Sequence, residues 1–233
     1  MSKFFGIIGG MGTLASTQFI TDMNRYYRPD KDQKYLNYVL YNYADIPDRT
    51  AYILDQSNEN PAPYLIDAAK KVELLGVEFV VIACNTAHYY LKEIKASTNV
   101  PILNMLDIVK ERLVELKPKK VGIMATSGTL ESKLYHDVIK DSGNQVIETT
   151  EALQERMMSL IYDDVKQNNF INVDVFQSLI EEYKSLGAEV IILGCTELSL
   201  LNSHLEISDD ELIDAQKLTI LETINRARVT QNK

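Results

Sequence analysis

The sequence predicts an α/β fold built from two similar halves, and three observations carry that expectation. Short apolar or β-branched runs alternate with helical patterns along the chain. Two stretches of the first half recur in the second, in the same order. Glycines stand just past two of the helical patterns, where a chain leaving a helix for a strand needs them.

The strand-like runs are residues 4–8, 38–41, 79–83, 121–124, 146–148 and 190–193, each apolar enough to be buried on both faces of a parallel sheet. Residues 63–75 set Leu65, Ala68, Ala69, Val72 and Leu75 on one helical face, and Gly76 follows. Residues 176–186 do the same with Phe176, Leu179, Ile180, Tyr183 and Leu186, and Gly187 follows. A shorter helix is expected over 160–166, and a last helical stretch over 209–228. The expected architecture is two pseudo-symmetric domains, each a mainly parallel four-stranded sheet flanked by helices. The first takes residues 1–103 plus 209–233, the second 104–208, with the active site in the cleft between them.

The repeat is the more informative signal. Gly6-Ile7, Gly12-Thr13-Leu14 and Ser16 lie over Gly122-Ile123, Gly128-Thr129-Leu130 and Ser132 at identical spacing. Later, Leu75-Gly76-Val77-Glu78-Phe79 through Cys84 lies over Leu186-Gly187-Ala188-Glu189-Val190 through Cys195. Each half therefore carries one of the chain's 2 cysteines at the same structural place, after a buried strand and before a helix. That place is the carboxyl end of a parallel sheet, where open α/β folds bind ligands. A free cysteine is ordinarily a small buried hydrophobe, but burial alone gives no reason for two to be related by a repeat. Asn85, Thr86 and Thr196 are N-cap types, so each thiol is expected near a helix N-terminus, which favours the thiolate.

Composition excludes several classes. The chain has 233 residues, 45% of them hydrophobic and 24% charged, as in ordinary globular proteins. No apolar run approaches the roughly 20 residues that span a bilayer. The Met1–Ile8 stretch breaks at Gly9-Gly10 and reads as a first strand, so a cytoplasmic location is expected. A net charge of −9 without a basic run is unsuited to nucleic acid. Two cysteines make no disulfide framework. Cys84 and His88 stand four apart, but neither a Cys-x-x-Cys nor a second such pair accompanies them, so no metal is expected. His88 reads as a structural histidine or one that tunes Cys84. Gly9-Gly10-Met11-Gly12 lacks both the dinucleotide spacing and a Walker lysine, and reads as a tight turn that lets a small ligand approach the backbone. The 13 tyrosines, Tyr26-Tyr27 and Tyr89-Tyr90 among them, read as packing or a subunit contact.

Two matched thiols suit racemisation, in which one group takes a proton from a stereocentre and the other returns one to the opposite face. The planar carbanion between them needs donors, for which Asn85, Thr86 and Thr196 are candidates along with backbone amides.

At these residues the chain resembles the aspartate/glutamate racemase family, enzymes that work without pyridoxal phosphate or any other cofactor. The resemblance lies in Gly9-Gly10-Met11-Gly12, Ile46-Pro47-Asp48-Arg49-Thr50, Ala83-Cys84-Asn85-Thr86-Ala87-His88 and Gly194-Cys195-Thr196-Glu197-Leu198. It implies that Cys84 and Cys195 are the catalytic acid/base pair and that Asn85, Thr86 and Thr196 bind the α-carboxylate. Thr126 and Ser127, which repeat the glycine-rich turn, resemble further binding residues, as do Met11 and Gly12 in that turn. Arg49 resembles an arginine that recognises a substrate carboxylate, the other reading being a surface ion pair with Asp45 or Asp48. Lys166 is a candidate second cation, or a solvated helix-end lysine. The family implies a small acidic amino acid as substrate and a homodimer. Two departures bear on side-chain specificity: Thr13 stands where the family commonly has proline, and Asn42-Tyr43-Ala44-Asp45 is more aromatic and acidic than the pattern. The resulting expectation is interconversion of L- and D-aspartate, or of glutamate. A maleate isomerase using one cysteine as nucleophile, a decarboxylase, a non-catalytic acidic-metabolite sensor and a Cys84–Cys195 disulfide switch are the competing readings.

Overall fold

A computed structural model describes residues 3–205 and 207–231. Met1 and Ser2, and residues 232–233 of the expected first domain, lie outside them. The chain divides into two compact units, one of Met1–Asn104 with Lys217–Lys233 and one of Met105–Gln216.

In the first unit, β1 (Phe5–Gly9), β2 (Tyr38–Asn42) and β3 (Val80–Ile82) form a parallel sheet in the order β2-β1-β3. Phe5 pairs with Tyr38 and Gly6 with Val80. Helices α1 (Thr13–Tyr26), α2 (Arg49–Leu54), α3 (Ala62–Glu73) and α4 (Leu91–Ser97) connect and flank these strands. The expected fourth strand is reduced to one parallel bridge between Val80 and Ile102. Val80 N–H donates to Pro101 O at 2.9 Å and Leu103 N–H to Val80 O at 2.8 Å. Proline has no N–H to extend the ladder, and the chain turns helical at Met105, so no longer strand can form.

In the second unit, α5 (Met105–Leu116) precedes a four-stranded parallel sheet in the order β5-β4-β6-β7. Its strands are β4 (Lys120–Met124), β5 (Gln145–Ile147), β6 (Val190–Leu193) and β7 (Leu212–Asp214). Helices α6 (Ser127–Glu131), α7 (Leu134–Asp141), α8 (Glu151–Ser159), α9 (Val173–Ser185) and α10 (Thr196–Asn202) flank it. The short helix expected over 160–166 is a π-helical continuation of α8, Leu160–Gln167. β7 corrects the expected boundary at residue 209. Ile191 pairs with Leu212 and Leu193 with Asp214, so this stretch completes the second sheet before α11 (Ala215–Gln231) begins. Among the described residues no helix is long and apolar enough to cross a membrane.

The repeat is physical. Gly6 on β1 and Gly122 on β4 hold equivalent places, and neither has room for a Cβ. At Gly6 it would collide with Val72 of α3, and at Gly122 it would stand 2.7 Å from the Tyr183 ring of α9. Both helices lie that close to their strands because the strand presents no side chain. Leu65, Ala68, Ala69 and Val72 are buried as expected, and so are Phe176, Leu179, Ile180 and Tyr183. Leu75 and Leu186 are not, at 57% and 41% exposed. Both helices end before these residues, and the chain swings off the apolar face into Gly76 (φ +69°) and Gly187 (φ +95°).

Candidate active site

Because β2, β1 and β3 are parallel, the loops after all three open at one edge of the first sheet. They carry Gly10-Met11-Gly12 and Cys84-Asn85-Thr86, and the loop after β2 leads into Arg49 at the start of α2. Gly10 has φ +95°, and a Cβ there would strike the Tyr43 backbone, so two loops touch through a residue with no side chain. Tyr43 N–H donates to Gly9 O at 3.2 Å. Thr13, at the departure from the proline pattern, opens α1 and accepts from Asn42 Nδ2 at 3.2 Å.

Arg49 neither projects from a loop nor sits at the surface. It is the first residue of α2 and only 7% exposed. Its guanidinium donates to the carbonyls of Ile46 (3.3 Å), Pro47 (3.0 Å) and Met11 (2.8 Å), tying the glycine-rich turn to the loop before α2. Asp48 caps the same helix, accepting from Ala51 N–H at 2.8 Å.

Cys84 is buried within a core cluster that includes Met11, Ile46 and Tyr90. The chain after it enters a 3-10 turn, Thr86–Tyr90, before α4. Asn85 has helical angles and makes no side-chain cap, so the expected capped helix start is absent here. His88 Nδ1 lies 2.9 Å from the Cys84 carbonyl oxygen, which makes it a brace for the cysteine's backbone.

In the second unit the loops after β4 and β6 carry Thr126-Ser127 and Cys195-Thr196, and Gly194 N–H donates to Met124 O at 2.8 Å between them. Thr126 caps α6 through Thr129 N–H. Ser127 Oγ accepts from Gln154 Nε2 at 3.2 Å, and its N–H points at Met158 Sδ at 3.2 Å. Ser127 also lines a cleft of about 510 Å³ with Gln154, Tyr162 and the acidic Glu151, Glu155 and Asp163.

Cys195, not Thr196, is the N-cap residue of α10, with extended angles. Its thiol donates to Glu197 Oε2 at 2.8 Å, and the Thr196 hydroxyl donates to the same oxygen at 3.0 Å. Lys166 Nζ lies 3.7 Å from Glu197 Oε1 and 4.6 Å from the centre of the Tyr162 ring. Burial pushes the Cys195 thiol well above its ordinary pKa, the Glu197 carboxylate adds to the rise, and Lys166 opposes it. The expectation that a helix N-terminus would favour a thiolate here is therefore overturned. Desolvation and an adjacent anion outweigh the partial charge of a seven-residue helix.

The structure thus gathers Met11, Gly12, Arg49, Cys84, Asn85 and Thr86 at one sheet edge of the first unit. It gathers Thr126, Ser127, Cys195 and Thr196 at the equivalent edge of the second, with Lys166 joined through Glu197. Both cysteines are free thiols. Glu197 is the residue that sequence reasoning missed. Its signal was a carboxylate two positions after a buried cysteine, in a stretch otherwise apolar enough to be core; it is 4% exposed.

Comparison with known proteins gives the family. The chain is 30% identical over 231 residues to the broad specificity amino-acid racemase RacX of Bacillus subtilis, covering 94% of this chain and 96% of that one. It is 26% identical over 177 residues to the glutamate racemase of Aquifex pyrophilus, covering 73% of this chain and 66% of that protein. The structure of the Picrophilus torridus aspartate racemase superimposes with a TM-score of 0.83 at 26% identity, over 97% of this chain and 94% of the other. Residues 8–223 match the family described as Asp/Glu/Hydantoin racemase. The chain belongs to the Asp/Glu/Hydantoin racemase family.

Proposed function

We propose that the protein interconverts the L and D forms of an acidic amino acid, aspartate foremost and glutamate next, by proton transfer between Cys84 and Cys195 without a cofactor. The observation that carries this reading is the pair of buried free thiols at equivalent places in a repeated sheet, one of them hydrogen-bonded to a carboxylate.

In this mechanism the Cys195 S–H bond breaks, an O–H bond forms on Glu197, and the resulting thiolate removes the α-proton. The carbanion then takes a proton from the Cys84 thiol on its other face. Substrate leaves inverted, with Cys195 again a thiol, Glu197 protonated and Cys84 a thiolate; proton exchange with water resets the pair. The reverse reaction starts at Cys84. Backbone N–H groups at the strand ends, with Asn85, Thr86, Thr126, Ser127 and Thr196, hold the α-carboxylate and the developing charge. Met11 and Gly12 bring the turn against the substrate, and Arg49 and Lys166 supply positive charge for its carboxylates.

A broader substrate range is the second reading. RacX, which the chain matches along nearly its whole length, is named for broad specificity. Tyr41, Tyr43, Tyr52 and Tyr64 also pack on the core cluster that holds Cys84, Met11 and Ile46. The test is α-deuterium uptake and chiral chromatography over a panel of acidic, neutral and basic amino acids, without added cofactor. Inversion with deuterium uptake, lost in Cys84→Ala and in Cys195→Ala, is the expected result. No exchange on any amino acid by folded, reduced protein would overturn the proposal.

A further inference from the structure

Two fully buried tyrosines differ in what their hydroxyls do. Tyr183 donates to Ile123 O at 2.7 Å. Tyr90, 1% exposed, has a hydroxyl with no hydrogen-bond partner among the described residues. A buried phenol ordinarily finds a partner, because taking the group out of water without one costs free energy. The Tyr90 ring is nevertheless firmly placed. It lies edge-on to Tyr89, with centroids 5.0 Å apart, and its centroid is 6.3 Å from that of Tyr52. Tyr90 ends the 3-10 turn that begins two residues after Cys84, and both residues belong to one core cluster with Met11 and Ile46. Arg49 and Tyr52 stand three apart on α2 and share a face, so Tyr90 packs beside the guanidinium. Burial holds the phenol far above its ordinary pKa, Tyr52 and Tyr89 add to the rise, and Arg49 is near enough to oppose it. The group is therefore a neutral O–H donor at any working pH.

We propose that the Tyr90 hydroxyl is a substrate-binding group, unbonded in the free protein and donating to the side-chain carboxylate of an acidic amino acid beside the charge of Arg49. This deepens the acidic-amino-acid reading and rests on its assignment of Arg49 to a substrate carboxylate. Arg49 gives hydrogens to the carbonyls of Ile46, Pro47 and Met11, so it brings positive charge here while much of its donor capacity is engaged. A carboxylate uses both neighbours, the guanidinium for charge and the phenol for a directed, charge-assisted hydrogen bond. An apolar side chain would leave the hydroxyl unpaired, which is how a polar site discriminates against a substrate that lacks the matching group. Tyr90 is thus a specificity-determining residue for the acidic side chain.

The probe is succinate, a dicarboxylate that cannot racemise, with binding to the wild type and to Tyr90→Phe followed by calorimetry at neutral pH. The variant is expected to bind it about tenfold more weakly, the reach of one lost hydrogen bond to a charged group. With aspartate, KM is expected to rise by the same factor while kcat changes less than about twofold, because the contact is made equally before and during proton transfer. Urea denaturation without ligand is expected to find Tyr90→Phe at least as stable as the wild type, whereas Tyr183→Phe loses stability. Unchanged succinate affinity overturns the proposal, and so does a wild type that binds no succinate. A Tyr90→Phe protein destabilised like Tyr183→Phe also overturns it, since the hydroxyl then has a partner, such as a buried water, before any ligand arrives. Racemisation is assayed separately. Succinate binding that depends on Tyr90, without turnover of any acidic amino acid, removes the racemase reading alone. Turnover with equal affinity in both proteins removes the Tyr90 contact alone.

Discussion

The loops that follow β3 and β6 start from the same sequence pattern and end in different chemistry. Each leaves a buried strand and delivers a buried thiol. Beyond Cys84 the chain winds into a 3-10 turn, and a histidine braces the cysteine's carbonyl. Beyond Cys195 an α-helix starts at once, with the cysteine as its cap, and a carboxylate takes a hydrogen bond from sulfur. The sheets behind them share strand order, parallel sense and the paired glycines at 6 and 122. The repeat preserves where a thiol is placed. What surrounds the thiol is set by the next few residues, and those have diverged.

The largest expected effect separates the two loops by what they bond. Glu197→Gln is expected to lower kcat by about 10²-fold, the usual reach of a lost acid/base partner. His88→Asn, which alters the brace on the Cys84 carbonyl, is expected to cost less than about tenfold. Steady-state kinetics in both directions would show it, and equal losses would mean that the loops are chemically alike after all. The Glu197→Gln change also removes an anion that raises the Cys195 thiol, so iodoacetamide should label Cys195 faster at neutral pH.

Equivalent turns offer a second contrast. Gly10 and Thr126 share a repeat position, yet Gly10 has φ +95° and Thr126 −67°. Gly10→Ala therefore meets both a disfavoured backbone and the Tyr43 main chain, and is expected to cost about 2–4 kcal/mol by urea denaturation. Thr126→Ala loses a helix cap, worth about 1 kcal/mol.

The smallest effect concerns Tyr183, the residue that Gly122 makes room for. Its hydroxyl donates to Ile123 O at 2.7 Å, and burial pushes its pKa from 10.0 up to about 12. The folded state thus holds the phenol proton more tightly than the unfolded chain. The stabilisation is complete below pH 10 and is lost as pH rises toward about 12. Tyr183→Phe should cost about 1 kcal/mol at neutral pH and flatten the alkaline fall of Tm.

Much of this was legible in the sequence, because strands buried on both faces and helices of period 3.6 leave local patterns. The six expected strands form within a residue or two at either end. β7 was hidden because three residues, Leu212–Asp214, make too short a run to separate from the helix that follows. Leu75 and Leu186 fit the helical spacing, but periodicity does not say where a helix stops, and both lie past the last turn. The first sheet's missing strand turns on one proline. Positions of the site residues followed from the repeat and the motif resemblance. Their partners did not, since Arg49 reaches a carbonyl 38 residues away and Lys166 a carboxylate on another element. The state of the Cys195 thiol depends on burial and on those distant charges, so no local pattern encodes it.

The π-helical stretch has a consequence for how this protein tolerates length changes. A π-turn holds one residue more than the α-turn it replaces, so losing a residue there can leave a continuous helix behind. Residues beyond the lost position would then keep their angle around the axis, because the α-turn left behind closes the same full turn with one residue fewer. Lys166 would stay on the side that faces Glu197, and the apolar face through Leu160 and Ile161 would keep its place. In this segment a single-codon deletion would be absorbed as a change of winding, so chain length can drift here without rebuilding the core.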